Sequence, residues 1–306
     1  MIYTCTLNPA LDYIINLPAI EFNRLNRIDQ AIFRAGGKGI NVSVVLNNLG
    51  IRSIATGFLG DFTGSFIKKD LKKYPFITMD FIDITGTTRM NLKLNHGFKE
   101  TEINDSGPQI SEHDFQILLS KIEALTSEDL LICSGSTCQG QSDAYQRIAQ
   151  TCSKHDIKFV MDVPGKDLLN FISSKPLLIK PNLQELESYF DVKIGSMDDV
   201  INYGKQLIEL GAENVLISMG SKGSLFISQN KVYRASLVHG HTINTTGAGD
   251  SMIAGFISSY IQEKNLKKAY LNAVSAGSAT VFGHGLATME TVITYQKKIK
   301  IKEIYS

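Results

Sequence analysis

The segment Asn244-Thr-Thr-Gly-Ala-Gly-Asp250-Ser runs directly into Met252, Ile253, Ala254, Phe256 and Ile257, an apolar helical stretch. Gly247 and Gly249 permit a turn whose successive N–H groups point one way. At a helix start those donors lack partners and carry the positive end of the dipole. With Ala248 between them they make a cradle for an anion, such as a phosphoryl group in transfer. Asp250 falls in the first helical turn beside the cradle. A carboxylate there can take the proton of a hydroxyl that attacks phosphorus. The same residues also describe a plain helix start, with Asp250 as a cap and the glycines as a turn. The pattern is no P-loop, which needs Gly-Lys-Ser/Thr after a spaced first glycine. Nor do its glycines follow a first strand as in dinucleotide folds.

A second cluster, Ala35-Gly36-Gly37-Lys38-Gly39-Ile40-Asn41-Val42, leads into an earlier helix. Gly37 allows close approach of backbone to ligand, Lys38 offers a charge, and Asn41 can both donate to and accept from a sugar hydroxyl. A solvated helix entry fits the same residues. Arg89, Asn91 and Lys93 alternate, so on a strand they share one face, with Glu102 and Asn104 alternating on the partner strand. Two cations and an amide suit a phosphate and its neighbouring hydroxyls, whereas a water-facing side with Lys93 paired to an acid is the other reading. Lys180-Pro-Asn182-x-x-Glu185 stands where a strand meets a helix. Asn182 and Glu185 can form a capping box, or can face hydrated Mg²⁺ while Lys180 meets phosphates. Ser218, Gly220 and Gly223 end another strand and can approach a nucleotide through the backbone. The six histidines show no metal-binding spacing, and no serine lies in a nucleophile elbow.

The elements that must hold these residues alternate. Strand-like Ile2–Leu7, Ser53–Leu59, Asp129–Ser134, Lys158–Asp162, Leu177–Lys180 and Asn214–Ser218 are interleaved with helical Asn41–Leu49, Gly64–Lys73, Ser142–His155 and Asp198–Leu210. Helical Gly249–Gln262 and Leu266–Phe282 follow. This is the pattern of an α/β fold with a mostly parallel central sheet and helices on both faces. Two stretches have no room for crossover helices. Asp12–Leu17 and Asp29–Arg34 form one. The other holds Met79–Ile84, Arg89–Leu94 and Phe98–Asn104, with a tight turn at Asn95-His96-Gly97. Both are expected to leave the main sheet and build a small β-sheet lid from about residues 12–35 and 77–106 of a single 1–306 domain.

Bulk composition narrows the partners. Thirty-one basic and 30 acidic residues in 306 leave a net charge of +1, so no global field draws nucleic acid or an acidic membrane surface. No apolar run reaches the length of a membrane span, and the start of the chain is not patterned as a signal peptide. The four cysteines form no C-x-x-C pair and suggest a reducing cytoplasm.

Taken together and in order, these motifs resemble the phosphofructokinase-B family of ribokinase-like carbohydrate kinases. The resemblance runs from Thr6-Leu-Asn-Pro-Ala-Leu-Asp12 to Gly285-Leu-Ala-Thr288. It implies a ribokinase-like fold with a β lid, ATP as donor, Mg²⁺ as cofactor and a small sugar phosphate as substrate. It also implies Asp250 as catalytic base, with Gly247, Ala248 and Gly249 as the anion hole. Asp12, Gly37, Lys38 and Asn41 match positions that hold the sugar. Lys180 and Asn182, with Ser218, Gly220 and Gly223, match positions at the nucleotide, and Asn182 and Glu185 match the Mg²⁺ motif, acting through water. Within the family, Thr88-Arg89-x-Asn91-x-Lys93 with Glu100-Thr-Glu102 looks most like the 1-phosphofructokinases, and next like the tagatose-6-phosphate kinases. A catalytically silent sugar-phosphate sensor is the more distant alternative, and a homodimer through the lid is a further expectation. The loop Ser134-Gly135-Ser136-Thr137-Cys138-Gln139-Gly140 departs from the family pattern, having no Pro and a neutral Gln139 where Lys is common. Ser136 is still expected at the substrate, with one cation fewer beside it.

Overall fold

The computed structural model describes residues 1–28, 30–96 and 99–305. Strand β1 (Ile2–Thr6) is followed by β2 (Ala10–Leu17), β3 (Ala31–Gly36), helix α1 (Lys38–Asn48), β4 (Ser53–Leu59), α2 (Asp61–Leu71), β5 (Ile77–Met79) and β6 (Ile82–Asp83). Next come β7 (Arg89–His96), β8 (Lys99–Asn104), α3 (Glu112–Glu123), β9 (Leu130–Ser134), α4 (Ala144–Lys154), β10 (Lys158–Asp162), α5 (Leu168–Phe171) and β11 (Leu178–Ile179). The chain continues through α6 (Leu183–Phe190), α7 (Met197–Glu209), β12 (Asn214–Ser218), β13 (Ser224–Ser228) and β14 (Val232–Ala235), then α8 (Ala248–Glu263), α9 (Leu266–Val281), α10 (Met289–Gln296) and β15 (Ile301–Tyr305).

The main sheet has the order β15-β14-β13-β12-β11-β10-β9-β1-β4-β5, with β6 also paired to β4. From β5 to β12 the strands run parallel, and β13, β14 and β15 add an antiparallel edge. Strands covered on both faces must be apolar on both, and every residue of β9 is buried. One face packs on α3, α4, α6 and α7 through Phe115, Leu118, Ile148, Leu186 and Leu207. The other packs on α1, α8, α9 and α10 through Val42, Val45, Phe256, Ala273 and Val292. Among the described residues, no helix is long and apolar enough to cross a membrane.

The second sheet has the order β3-β2-β7-β8. Its register sets Asp12 beside Asn91 and Ile14 beside Lys93, and sets Asn91 and Lys93 opposite Asn104 and Glu102. The expected face of alternating polar residues therefore exists. Asp29, Gly97 and Phe98, on which the start of one expected strand, the tight turn and the start of another fall, lie outside the described residues.

One expectation is corrected. Met79–Ile84 does not open the second sheet. It is two short pieces, β5 and β6, both parallel to β4 in the main sheet. Helix α2 is the crossover that delivers them, and the Asp80 N–H closes on the Ala55 carbonyl at 2.8 Å. The second stretch of the small sheet thus begins at Arg89 rather than near residue 77. Helices α3, α5 and α10 and the antiparallel edge were not anticipated from the sequence, whereas α6 begins at its N-cap Asn182, where the sequence placed a helix start.

Candidate active site

In parallel α/β sheets, ligands bind beyond the carboxyl ends of the strands. Here Thr6, Ser134, Asp162 and Ser218 close β1, β9, β10 and β12, and Lys180 directly follows β11. A cavity of about 970 Å³ lies against this edge, and Thr6, Asp162, Lys180 and Ser218 line it. The second sheet contributes Asp12, Arg89, Asn91, Lys93 and Glu102 to the same cavity. Gly37, Lys38 and Asn41 reach it from the start of α1, Ser136 from the loop after β9, and Gly247, Ala248, Gly249 and Asp250 from the start of α8. Asn182, Gly220 and Gly223 complete the wall. Of the residues singled out in the sequence, Glu185, Asn104 and Gln139 are absent from this lining.

Helix α8 begins without a side-chain cap, because its N-cap is Gly247 at φ 77, a left-handed conformation natural to glycine. Asp250, in the first turn, is not spent on capping. It is 4% exposed and accepts the Asn41 amide at Oδ2, 2.8 Å away. Burial, and after it the negative charge of Asp162, lifts the Asp250 carboxyl from 3.8 to about 6, against the pull of Asn41, Lys38 and Lys180. A carboxylate of that affinity, itself buried beside the start of α8, where the Ala248 N–H rests on the Thr245 carbonyl at 3.3 Å, is suited to taking a hydroxyl proton near neutral pH.

Asp162 went unrecognised in the sequence. It is buried at the end of β10, with Lys180 Nζ at 3.2 Å from Oδ1 and Lys38 Nζ at 3.3 Å from Oδ2. Burial raises its carboxyl affinity, but Lys180 and Lys38 outweigh burial and hold it below the usual range. Burial also works against the charge on Lys38, and is outweighed by Asp162, Asp250 and Glu185, which leave its affinity raised. Lys180 lies against the cradle, since a methyl on Gly249 would sit 2.9 Å from its Nζ. The only sequence signal for Asp162 was a charged residue closing an apolar strand.

On the second sheet, Asp12 gathers its neighbours. Asn91 Nδ2 donates to Asp12 Oδ1 at 3.0 Å, and Lys93 Nζ lies 3.1 Å from Oδ2, with Glu102 at 3.9 Å. This face is not the water-covered one that the alternation allowed, because Asp12, Asn91 and Lys93 are all buried. The pairing of Lys93 to acids does hold. Asn91 Oδ1 is buried with no protein partner, so it is available to a ligand hydroxyl. Arg89 donates from Nε to the Asn8 carbonyl and from Nη1 to the Asp105 carbonyl, both at 3.2 Å.

Gln139 is drawn into structure. Its amide donates to the Gly107 carbonyl at 3.0 Å, and its own carbonyl accepts from Ile110 N–H at 2.9 Å. Asn182 and Glu185 form the capping box of α6, with both bonds at 2.8 Å. Among the described residues no cluster of three or more acids, histidines or cysteines could hold a metal directly. The box uses Asn182 Oδ1 and Glu185 Oε2 and leaves Glu185 Oε1 outside it. That donor set fits an ion that keeps its own water.

The far wall holds residues that the sequence reading missed: Leu237 and Val238 after β14, and Val274, Val281 and Phe282 from α9 and its end. They are apolar parts of the lining, and Leu237 lies against Gly223. Nothing in their spacing separates them from core positions.

A cavity with an acidic base, a helix-start anion cradle and a ring of lysines is the equipment of a phosphotransferase acting on an alcohol group. The sequence pattern described as "pfkB family carbohydrate kinase" matches residues 6–292. A 1-phosphofructokinase of Borreliella burgdorferi is 42% identical over the full length of both chains. A D-tagatose-1-phosphate kinase of Bacillus licheniformis is 35% identical, over 99% of this chain and all of that one. Among solved structures, phosphofructokinase-2 from Escherichia coli superposes with a TM-score of 0.92 at 25% identity, over 97% of this chain and 98% of that one. The chain belongs to the pfkB family of carbohydrate kinases.

Proposed function

We propose that this kinase transfers the γ-phosphoryl group of ATP to the 6-hydroxyl of fructose 1-phosphate, giving fructose 1,6-bisphosphate and ADP. The observation that carries the reading is Asp250: a buried carboxylate near pKa 6, fixed by Asn41 at an uncapped helix start, inside a cavity that Arg89 and Lys93 also line. The full-length likeness to a 1-phosphofructokinase supports the choice of sugar.

Asp250 takes the proton of the attacking hydroxyl as its oxygen bonds to phosphorus and the bond to ADP breaks. The N–H groups of Gly247 and Gly249, and that of Ala248 once it gives up its bond to the Thr245 carbonyl, face the charge that spreads over the phosphoryl oxygens, with Lys38 and Lys180 flanking them. Asp12, Gly37, Asn41 and Ser136 hold the sugar. Arg89 and Lys93 hold the phosphate it already carries, with Asn91 and Glu102 on neighbouring hydroxyls. To do so Lys93 exchanges part of its contact with Asp12. Ser218, Gly220 and Gly223 meet the nucleotide, and the apolar part of the lining suits its base. Mg²⁺ would be held through water by Asn182 and Glu185, and supplies neutralising charge to the phosphates.

The second sheet serves as the lid. Its exposed Phe33 and Ile103, which share the face turned away from Asp12, support pairing of two copies through it. A second reading takes the 4-epimer, tagatose 1-phosphate, favoured by the relative that carries that activity. Initial rates with Mg-ATP on fructose 1-phosphate, tagatose 1-phosphate, tagatose 6-phosphate and free fructose test the proposal. Fructose 1-phosphate should lead. A lead by tagatose 1-phosphate would replace the sugar, a lead by tagatose 6-phosphate would also move the acceptor to the 1-hydroxyl, and no turnover with any would return the silent sensor.

A further inference from the structure

The cavity holds one charged group to which the function just proposed gives no task. Asp162 touches neither the anion cradle nor the second-sheet wall, yet it is the most enclosed of the four charges at the centre. Its side chain is 2% exposed, against 6% for Lys180 and 39% for Lys38. Isolated, such a carboxylate would be strongly disfavoured. It is kept because each oxygen faces a different ammonium: Oδ1 faces Lys180, and Oδ2, buried without a hydrogen bond, faces the charge of Lys38 at 3.3 Å. The backbone prepares this. Strands β10 and β11 pair Met161 with Ile179, so the next residues of each, Asp162 and Lys180, emerge side by side. The Gly135 N–H donates to the Asp162 carbonyl at 3.0 Å and fixes the strand end. Lys38 arrives from the start of α1, on the opposite side of the carboxylate.

We infer that Asp162 is a positioning residue, whose carboxylate holds the Lys38 and Lys180 ammonium groups at fixed places beside Asp250 and the cradle, facing the path of the phosphoryl group. The inference rests on the reading of Asp250 as base. Without Asp162 the two cations would repel each other and lose their fixed places while staying near Asp250, Lys38 most of all, since its side chain is already 39% exposed. With Asp162 between them they are held before any nucleotide arrives, so no rearrangement is needed as charge develops.

The charged groups facing Asp250 are Asp162 from β10, Lys38 from α1 and Lys180 beside β11, with the neutral Asn41 amide also from α1. Of these, Asp162 alone favours protonation of Asp250. Its removal therefore has a consequence that a merely structural residue would lack: the base becomes more acidic.

The test uses the full-length enzyme. Asp162→Asn should lower kcat by about a hundredfold. It should also move the acid limb of kcat/KM to lower pH by about one unit. Asp162→Asn combined with Lys180→Met removes one charge of each sign, and should bring the limb back toward the wild-type position while kcat stays low. If Asp162→Asn does not fold, as judged by its melting transition, Asp162→Glu is read in its place. It keeps the charge but displaces both lysines, and should lower kcat with the limb unmoved. An Asp162→Asn enzyme with reduced kcat and an unshifted limb overturns the inference, as does an Asp162→Glu enzyme of wild-type kcat. Asp250→Asn, run alongside, separates the failures. If it stays active the base reading is wrong, whereas an inert Asp250→Asn with an unshifted Asp162→Asn limb condemns the positioning role alone.

Discussion

The Asn41 side-chain amide reaches Asp250 Oδ2 at 2.8 Å across a sequence separation of 209 residues. This bond joins the two glycine-flanked segments. It fixes Asp250 Oδ2 and leaves Oδ1 for the hydroxyl proton that the proposed function assigns to it. It also explains why Asp250 does not cap its own helix: its hydrogen-bonding capacity is directed across the cavity.

Asp250→Asn should lower kcat by about 10²–10⁴-fold and leave both KM values within a few-fold, because general-base loss acts on the chemical step. Steady-state kinetics at saturating ATP check it. Retention of a tenth of wild-type kcat would remove Asp250 from the role.

The same substitution should stabilise the fold. The Asp250 carboxyl is raised to about 6 from 3.8, so its contribution favours folding at pH below about 4 and is lost as pH rises through 6. At pH 8 wild type carries a buried charge that costs at most about 3 kcal/mol. Asp250→Asn should therefore melt a few degrees higher at pH 8, with the gain shrinking toward pH 4.5. Equal melting temperatures throughout would contradict the raised affinity. Wild-type kcat/KM should in turn rise with pH through about 6.

Arg89→Ala should raise KM for the sugar phosphate by about 10–100-fold and change KM for ATP little, as expected for a lost charge-assisted contact of roughly 1–3 kcal/mol. Free fructose should be a poor substrate of both enzymes. An equal rise in the two KM values would show that Arg89 instead braces the site through its bonds to the Asn8 and Asp105 carbonyls.

Glu185→Gln should increase the Mg²⁺ concentration needed for half-maximal rate and lower kcat, with an unchanged melting curve. A glutamine still accepts from the Asn182 N–H, so the capping box survives. Excess chelator should abolish wild-type activity; full activity in chelator would exclude the metal.

Much of this was readable because strand and helix periods differ. The Ser53–Leu59, Lys158–Asp162 and Asn214–Ser218 strands have the bounds their apolar runs indicated. Arg89, Asn91 and Lys93 share a face because alternation on a strand demands it. Met79–Ile84 was misplaced because a short edge strand after a crossover helix has the same pattern as the first strand of a hairpin. Asp162 and Phe282 stayed hidden for opposite reasons. One is a single charge whose two partners come from distant segments. The other is an apolar residue whose exposure to a cavity is decided only when α9 packs. Gln139 drew attention as a missing cation, yet its task is to fasten one loop to another.

Strand β1 lies in the interior of the main sheet, between β4 and β9, while the base stands at the head of α8. During synthesis the sheet can therefore grow outward from its first strand as later strands emerge, before Asp250 has been added. Residues 1–247 contain Asn41, Lys38, Asp162 and Lys180 but lack Asp250, so a growing chain can assemble the cation frame before it has any catalytic power. On the reading of Asp250 as base, chemistry is thus the last property the polypeptide acquires, withheld until α8 packs onto α1.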